Sequence, residues 1–403
     1  MRTTIVRIAI FNESFWNKGL IESQNLQPLK ILAKKDKRYQ IEVTAFISLL
    51  EIIRSWKLIL RYIEQQRSEG VIFKVFPILY LPSRLFYPRW FMLPTLLLNT
   101  FPYILYLLIV DRKTKHKVYY NLRSYEIALC FSLLYRYPDR LVFDPRTDMI
   151  LEQVTIGTWK EKSISYKIWR ILECYIITHT CKTLFISEPM RDDILDRCSL
   201  DHQENKYIVH YNQVDFERFY TQEHTKDISF LYSGTLGHYN DFSFYLKFMK
   251  VAIKKWPDAI LHVVTNTRPN LFISELAKPE FKELSKNVKF HLAPKYEEIP
   301  KIYSICNYGL QLMRNADSRM GVKYVEYIAA GLTPIVNDKV KGAVQFSRKM
   351  KVGIVIEDYS LDHLIKFLAE QIEQNISPAP NWENIRELID MNLSYGILAQ
   401  IFD

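Results

Sequence analysis

Short apolar runs alternate along this chain with longer segments whose apolar positions recur every three or four residues. In the first half the short runs lie at 4–11, 41–47, 71–77, 117–122, 140–143 and 183–187. In the second they lie at 228–233, 259–265, 287–291, 308–312, 333–337 and 353–356. Helical periodicity fills the intervals, clearest at 242–256, 271–283, 297–304, 322–330 and 361–374. Runs of the first kind predict strands and those of the second amphipathic helices. Their alternation predicts parallel sheets, because parallel strands need a crossover between them. The fold class expected is α/β, with two Rossmann-like domains.

The polar stretch 201–226 is the expected boundary: domain one at 1–210, domain two at 211–380. A Ser-Pro-Ala-Pro break at 377–380 precedes a helical tail, 381–403, expected to cross back onto the first domain. At 403 residues the chain exceeds one ordinary core.

One segment strains this reading. The block 90–110 carries no charge and is long enough to span a bilayer. It falls between two strands of one predicted sheet, and spanning would put those strands on opposite sides of the membrane. Pro94 and Pro102 are expected to break it into shorter helices. Two readings then stand: a buried crossover helix, or an interfacial docking face made by Trp90, Tyr103 and Tyr106 with Arg84, Arg89, Arg112 and Lys113. A membrane-embedded protein is the outlying alternative.

Composition narrows the function. Charged residues make up 24%, yet the net charge is +10 and aromatic residues reach 14%. Such a surface suits anionic lipid or phosphorylated substrates, and no RNP-like run, zinc knuckle or dense basic block points to nucleic acid. The five cysteines, Cys130, Cys174, Cys181, Cys198 and Cys306, show no C-x-x-C spacing, so free thiols in a reducing cytoplasm are expected. The apolar N-terminal run is too short for a signal sequence. No D-x-D and no H-E-x-x-H occurs, and a metal-free site is expected.

Two motifs carry chemistry. Ser233, Gly234, Thr235, Leu236 and Gly237 end a predicted strand and open a helix, an arrangement that can offer backbone N–H groups to a phosphate, with Thr265 at a neighbouring strand end. The second is 320–337, MGVKYVEYIAAGLTPIVN. Lys323 and Glu326 share one helix face, Gly331 is placed for a left-handed cap, and Pro334 begins a strand. A lysine at a helix start can meet a diphosphate, and a carboxylate one turn on can accept both hydroxyls of a ribose. An exposed i,i+3 ion pair would look the same.

The run Val322 to Val336 resembles the donor-site signature of the group 1 glycosyltransferases, a nucleotide-sugar-dependent family. In the same order, 212–219 resembles the turn ending its first domain, 233–237 its glycine turn and 263–265 its donor-side strand end. The resemblance implies a GT-B architecture, two Rossmann-like domains facing across a cleft. It also implies transfer from a nucleotide diphosphate sugar with retention, the likeness being strong over 207–356 and fainter before it. Ser318 stands where the family has the first of two glutamates, and Glu326 matches the second. His238 or Asn240 stands where a phosphate-contacting lysine often follows. Arg319 and Lys323 are the cations that would replace it.

In the first half Gly19 and Gln24 fall where the family has its acceptor loop. Arg123, Asp144, Arg146 and Glu152 leave predicted strand ends, as acceptor-orienting groups or as ion pairs fixing loops. The function expected is transfer to a glycan or lipid-linked acceptor in bacterial surface polysaccharide synthesis. No cofactor is expected, and the place is the cytoplasm, at the inner membrane face. The alternatives are a silent GT-B scaffold and a sugar-nucleotide epimerase.

Overall fold

Thirteen parallel strands form two sheets in the computed structural model, which describes residues 3–11, 22–79, 93–219, 227–235, 242–266, 269–295, 297–357, 370 and 380–403. The first sheet holds β1 (Thr4–Phe11), β2 (Tyr39–Ser48), β3 (Ile72–Ile78), β4 (Lys117–Leu122), β5 (Leu141–Phe143), β6 (Lys182–Phe185) and β7 (Tyr207–Val209). Its order is β3-β2-β1-β4-β5-β6-β7. The second holds β8 (Ser229–Ser233), β9 (Ile260–Thr265), β10 (Val288–Leu292), β11 (Tyr308–Gln311), β12 (Thr333–Asn337) and β13 (Ile354–Ile356), in the order β10-β9-β8-β11-β12-β13. Both orders step outward from the opening strand and then reverse to its other side, the doubly wound plan. β7 lies inside the polar stretch read as a linker: three residues are too few to show a period.

The chain divides into a first unit, Met1–Phe185 with Arg191–His210 and Ser394–Asp403, and a second, Ile186–Met190 with Tyr211–Leu393. The tail is thereby shared. Helix Trp382–Ile389 belongs to the second unit, and helix Tyr395–Phe402 packs in the first, where Leu398, Ile401 and Phe402 join a core with Ile8, Ile41 and Leu184. Tyr39 donates to Asp403 at 2.6 Å and Lys182 to the Ile401 carbonyl at 2.6 Å, fixing that helix to β2 and β6.

In the first unit, α1 (Gln27–Lys35), α2 (Leu49–Ser68) and α3 (Leu93–Lys113) serve strands β1 to β4. There α4 (Tyr125–Leu134), α5 (Met149–Thr155), α6 (Ile164–Thr178) and, from Arg191 on, α7 (Glu188–Cys198) follow. α8 (Phe216–Phe219), α9 (Phe242–Lys255), α10 (Pro269–Leu276) and α11 (Ile299–Tyr303) belong to the second. α3 is one continuous helix through Pro102, against the expected break. Pro94 sits in the first turn, where no intrahelical N–H is needed. The carbonyl freed by Pro102 is that of Leu98, which is exposed and can turn to water. By length and composition α3 could cross a membrane, but its strands β3 and β4 belong to one sheet. Buried polar contacts tie it there: Asp111 pairs with Arg7 of β1 at 2.5 Å, and the hydroxyls of Tyr103 and Thr44 meet at 2.5 Å. Tyr103 of the expected docking face therefore points inward, while Tyr106 is exposed. Trp90, Arg84 and Arg89 lie outside the described residues.

Not all five thiols are free. α6 and α7 carry the disulfide Cys174–Cys198, with Cα atoms 5.3 Å apart; Cys130, Cys181 and Cys306 are reduced. Tertiary packing makes this pair, across a separation that gives no local signal.

Candidate active site

The second sheet reverses its order between β8 and β11. Ligands of open α/β sheets bind outside the strand ends at such a reversal, and here β8 ends at Ser233 while β11 leads through residues 312–321 into α12 (Val322–Ala329). Gly321 caps α12 with no side chain; its carbonyl takes the Tyr324 N–H at 3.1 Å, and no side-chain cap covers those of Val322 and Lys323. At its far end Gly331 adopts φ +76°. Its N–H bonds the Ile328 carbonyl, and the Leu332 N–H bonds that of Tyr327, both at 3.0 Å. That double closure requires a left-handed residue, hence glycine. β12 follows at once.

Lys323 and Glu326 meet on one face of α12, Nζ to Oε2 at 2.7 Å. The same oxygen accepts the Tyr303 hydroxyl at 2.9 Å. Tyr303 is fully buried, and burial first, then Glu326 nearby, holds its phenol well above the usual range, so it stays a donor. The Lys323 side chain is 38% exposed and that of Glu326 14%. The glutamate is thus fixed from below while its cation reaches water.

Tyr327, on the buried side, joins this helix to the strands. Its hydroxyl accepts the Ser233 N–H at 3.0 Å. Its ring lies so close to Gly309 of β11 that a Cβ there would come within 2.3 Å. The glycine turn departs from expectation at this point. Both Ser233 and Gly234 spend their N–H groups inside the fold, the latter on the Val264 carbonyl at 3.0 Å. Strand pairing with β9 continues one residue further than the glycine suggests. Thr235 keeps its carbonyl on the Tyr232 hydroxyl, and Thr265 is buried at the end of β9. Leu236, Gly237, His238 and Asn240 lie outside the described residues.

The 312–321 loop is held from several sides. Asn337 grips Met313 through both N–H (3.0 Å) and carbonyl (2.7 Å), and Asn212 donates to the Met320 carbonyl at 2.5 Å. Ser187 donates to the Ser318 carbonyl, and Tyr245 brackets Leu312. Arg319 forks onto Asp317, with contacts of 2.6 to 3.0 Å. Its charge is therefore already met by a carboxylate. Ser318 is buried, and its Oγ has no partner among the described residues.

The first unit gathers its own buried polar group, also at strand ends. Asp144, after β5, lies 2.7 Å from Arg146 and 3.9 Å from Arg123, and accepts from Asn25 at 3.4 Å. Arg146 holds φ +49°, a left-handed conformation uncommon for a side chain of this size. There its guanidinium reaches Nδ1 of His210 at 3.0 Å. Guanidinium can only donate, so Nδ1 accepts and the ring proton is assigned to Nε2. Burial, then the Arg146 charge, pushes His210 down to about 3. Glu152 accepts the Thr147 hydroxyl at 2.7 Å. Gln24 is buried in the turn Glu22–Leu26, and Gly19 lies outside the described residues. Behind this group, Arg197 bonds Asp148 and Glu173, whose carboxyl burial pushes up to about 7.

Sequence reasoning missed Tyr303, Asn337, Asn212, Ser187 and His210. Each acts from a different element, so no local spacing marks it. Tyr327 was visible inside the helix motif, but nothing in its spacing told of a bond to β8.

The family model described as "Glycosyl transferases group 1" matches residues 213–387. The segment is a group 1 glycosyltransferase domain. It makes the chain a transferase of glycosyl groups, and it contains α12 with Lys323 and Glu326. No curated protein matches the chain by sequence. Solved structures share the whole architecture at low identity. Anabaena Alr3699/HepE in complex with UDP and glucose has TM-score 0.64 at 12% identity, over 99% of this chain and 98% of that one. A glycosyltransferase from Rickettsia africae has TM-score 0.66 at 12%, over 100% and 98%. The lipopolysaccharide outer core galactosyltransferase WaaB, apo form, has TM-score 0.65 at 13%, over 99% of each chain. At such identities these likenesses establish the two-Rossmann GT-B fold.

Proposed function

We propose that this glycosyltransferase takes its sugar from a nucleotide diphosphate donor held at the β8/β11 reversal. The acceptor would be a glycan or lipid-linked saccharide, as in surface polysaccharide synthesis. The observation that carries the reading is the Lys323–Glu326 pair with Tyr303 beneath it. Breaking the anomeric bond leaves growing negative charge on the diphosphate. Lys323 and the uncapped opening N–H groups of α12 are suited to receive it, and Glu326, steadied by Tyr303, to accept the ribose hydroxyls. Arg319 would contribute only by loosening from Asp317. Asp144 and Arg146, set by His210, would orient the acceptor.

The lack of any D-x-D supports metal-free chemistry, and the lack of an evident nucleophile supports front-face attack with retention. UDP, present in the HepE structure, is the first nucleotide to try. A thermal-shift panel of UDP, GDP, CDP and ADP would find the base, since ligand at 100 times its Kd stabilises by about 2.7 kcal/mol. Turnover with the matching sugar in EDTA, with NMR of the product anomer, then tests metal independence and stereochemistry. Turnover only with added metal would remove the metal-free mechanism.

Ser318, in place of a carboxylate, favours a second reading, a silent scaffold. Failure of every donor to bind or turn over would support it. Interconversion of the sugar without an acceptor would instead identify an epimerase.

A further inference from the structure

The outward side of α2 repeats two chemistries in register. Ser48 caps it, accepting the Glu51 N–H at 3.2 Å, and Ile59, Tyr62 and Gln66 face the sheet. Leu49, Ile53, Trp56 and Leu60 follow at intervals of four, three and four, so at 100° per residue they share a sector of about 60°. All four are exposed, Ile53 by 63% and Trp56 by 52%. Arg54, Lys57 and Arg61 repeat the interval one position on, and they too are exposed. They form a cationic row roughly a quarter turn from the apolar one. The Lys57 ammonium stands 5.7 Å from the Trp56 ring centre.

From this we infer that the first unit docks on an anionic lipid bilayer through α2. The helix would lie in the interfacial plane, with the apolar row entering the acyl boundary and the cationic row at the phosphates. Soluble surfaces scatter single apolar groups, whereas a straight exposed row with a parallel cation row matches the two layers of a membrane surface in chemistry and order. Tryptophan at their border is the residue that prefers that depth. A second copy of the chain fits worse, because packing α2 on itself would bring the Arg54–Lys57–Arg61 rows close together. α3 also exposes apolar residues, among them Leu98, Phe101 and Ile109, but without a cation row beside them. The inference rests on the proposed function only for its purpose, delivery to a lipid-linked acceptor, and its geometry is independent.

The test is flotation of the full chain with phosphatidylcholine vesicles and with vesicles containing phosphatidylglycerol. The wild type is expected to float with the anionic vesicles at low salt and to be released at high salt. Ile53→Glu with Trp56→Glu should abolish flotation. Lys57→Glu with Arg61→Glu should weaken it by about tenfold or more, each lost cation counting severalfold. These positions are exposed, and unchanged thermal midpoints will verify folding; should one pair fold poorly, the other decides. No flotation of the wild type, or undiminished flotation of the folded variants, overturns the inference. So does a wild-type dimer on gel filtration that the variants convert to monomer. Donor binding is read in the same samples: its absence would strike the transferase reading and leave the docking result standing.

Discussion

Replacing Lys323 by Ala and Glu326 by Gln separates catalysis from stability at α12. In the free protein the two form an ion pair with a part-exposed lysine, the kind of contact worth about 0 to 1 kcal/mol. Glu326→Gln keeps an acceptor for the Tyr303 hydroxyl, so no buried donor is orphaned. Unfolding in urea should therefore shift by less than about 1 kcal/mol for either variant. Activity should fall far more. Loss of a cation that meets charge only in the transition state typically removes about 2.7 to 4 kcal/mol, or roughly 10²- to 10³-fold in kcat. Loss of a charged acceptor from the ribose removes about 1.5 to 3 kcal/mol. Because the ribose is held equally before and during reaction, that loss should appear mainly in KM. Steady-state kinetics with the donor found by thermal shift, alongside urea curves, decide the matter. Near wild-type turnover in both variants would refute the donor-site assignment. An activity loss matched by an equal loss of stability would mean that the pair is structural.

Four further outcomes follow from the fold. His210 is held near pKa 3 in the fold but near 6.5 when unfolded, so only the unfolded chain takes up its proton between those values. Its contribution is complete above pH 6.5 and is lost as pH falls toward 3, at up to about 1.4 kcal/mol per pH unit. His210→Gln should flatten urea-derived stability between pH 7 and 4, and an unaltered slope would disprove it. Tyr327→Phe orphans the buried Ser233 N–H and should lower stability by about 1 to 3 kcal/mol. Gly309→Ala pushes on the same ring and should cost about 1 to 3 kcal/mol, so urea curves as steep and stable as wild type would reject this packing. Alkylation and mass mapping of the unreduced protein should label Cys130, Cys181 and Cys306 after unfolding and spare Cys174 and Cys198; five labelled thiols would refute the bridge.

Much of the architecture was legible because short apolar runs and segments of helical period differ so plainly. The runs place β1, β4, β8, β11 and β12 almost to the residue, and Gly331 announces its own cap. What escaped depended on partners distant in sequence. Strand pairing with β9 takes the Gly234 N–H, although the glycine itself reads as a free turn. Solvent beside Leu98 lets α3 run through Pro102, and the sequence does not say which side faces water. Tyr103 reads as an interfacial aromatic until Thr44 of β2 is found against it. Nearby partners matter too: the Asp144–Arg146 ion pair was one of the two readings the sequence offered, whereas Asp317, two residues from Arg319, takes a charge that the sequence reading had left for the donor.

The short helix Tyr395–Phe402 has a bearing on synthesis. Its side chains complete the hydrophobic interior built by residues that leave the ribosome hundreds of codons earlier. A truncated product stopping at 210 would bare the groove where Ile401 and Phe402 belong, and should be sticky and short-lived. On the translating ribosome, the first unit must wait, incompletely sealed, until residues 395–402 have emerged.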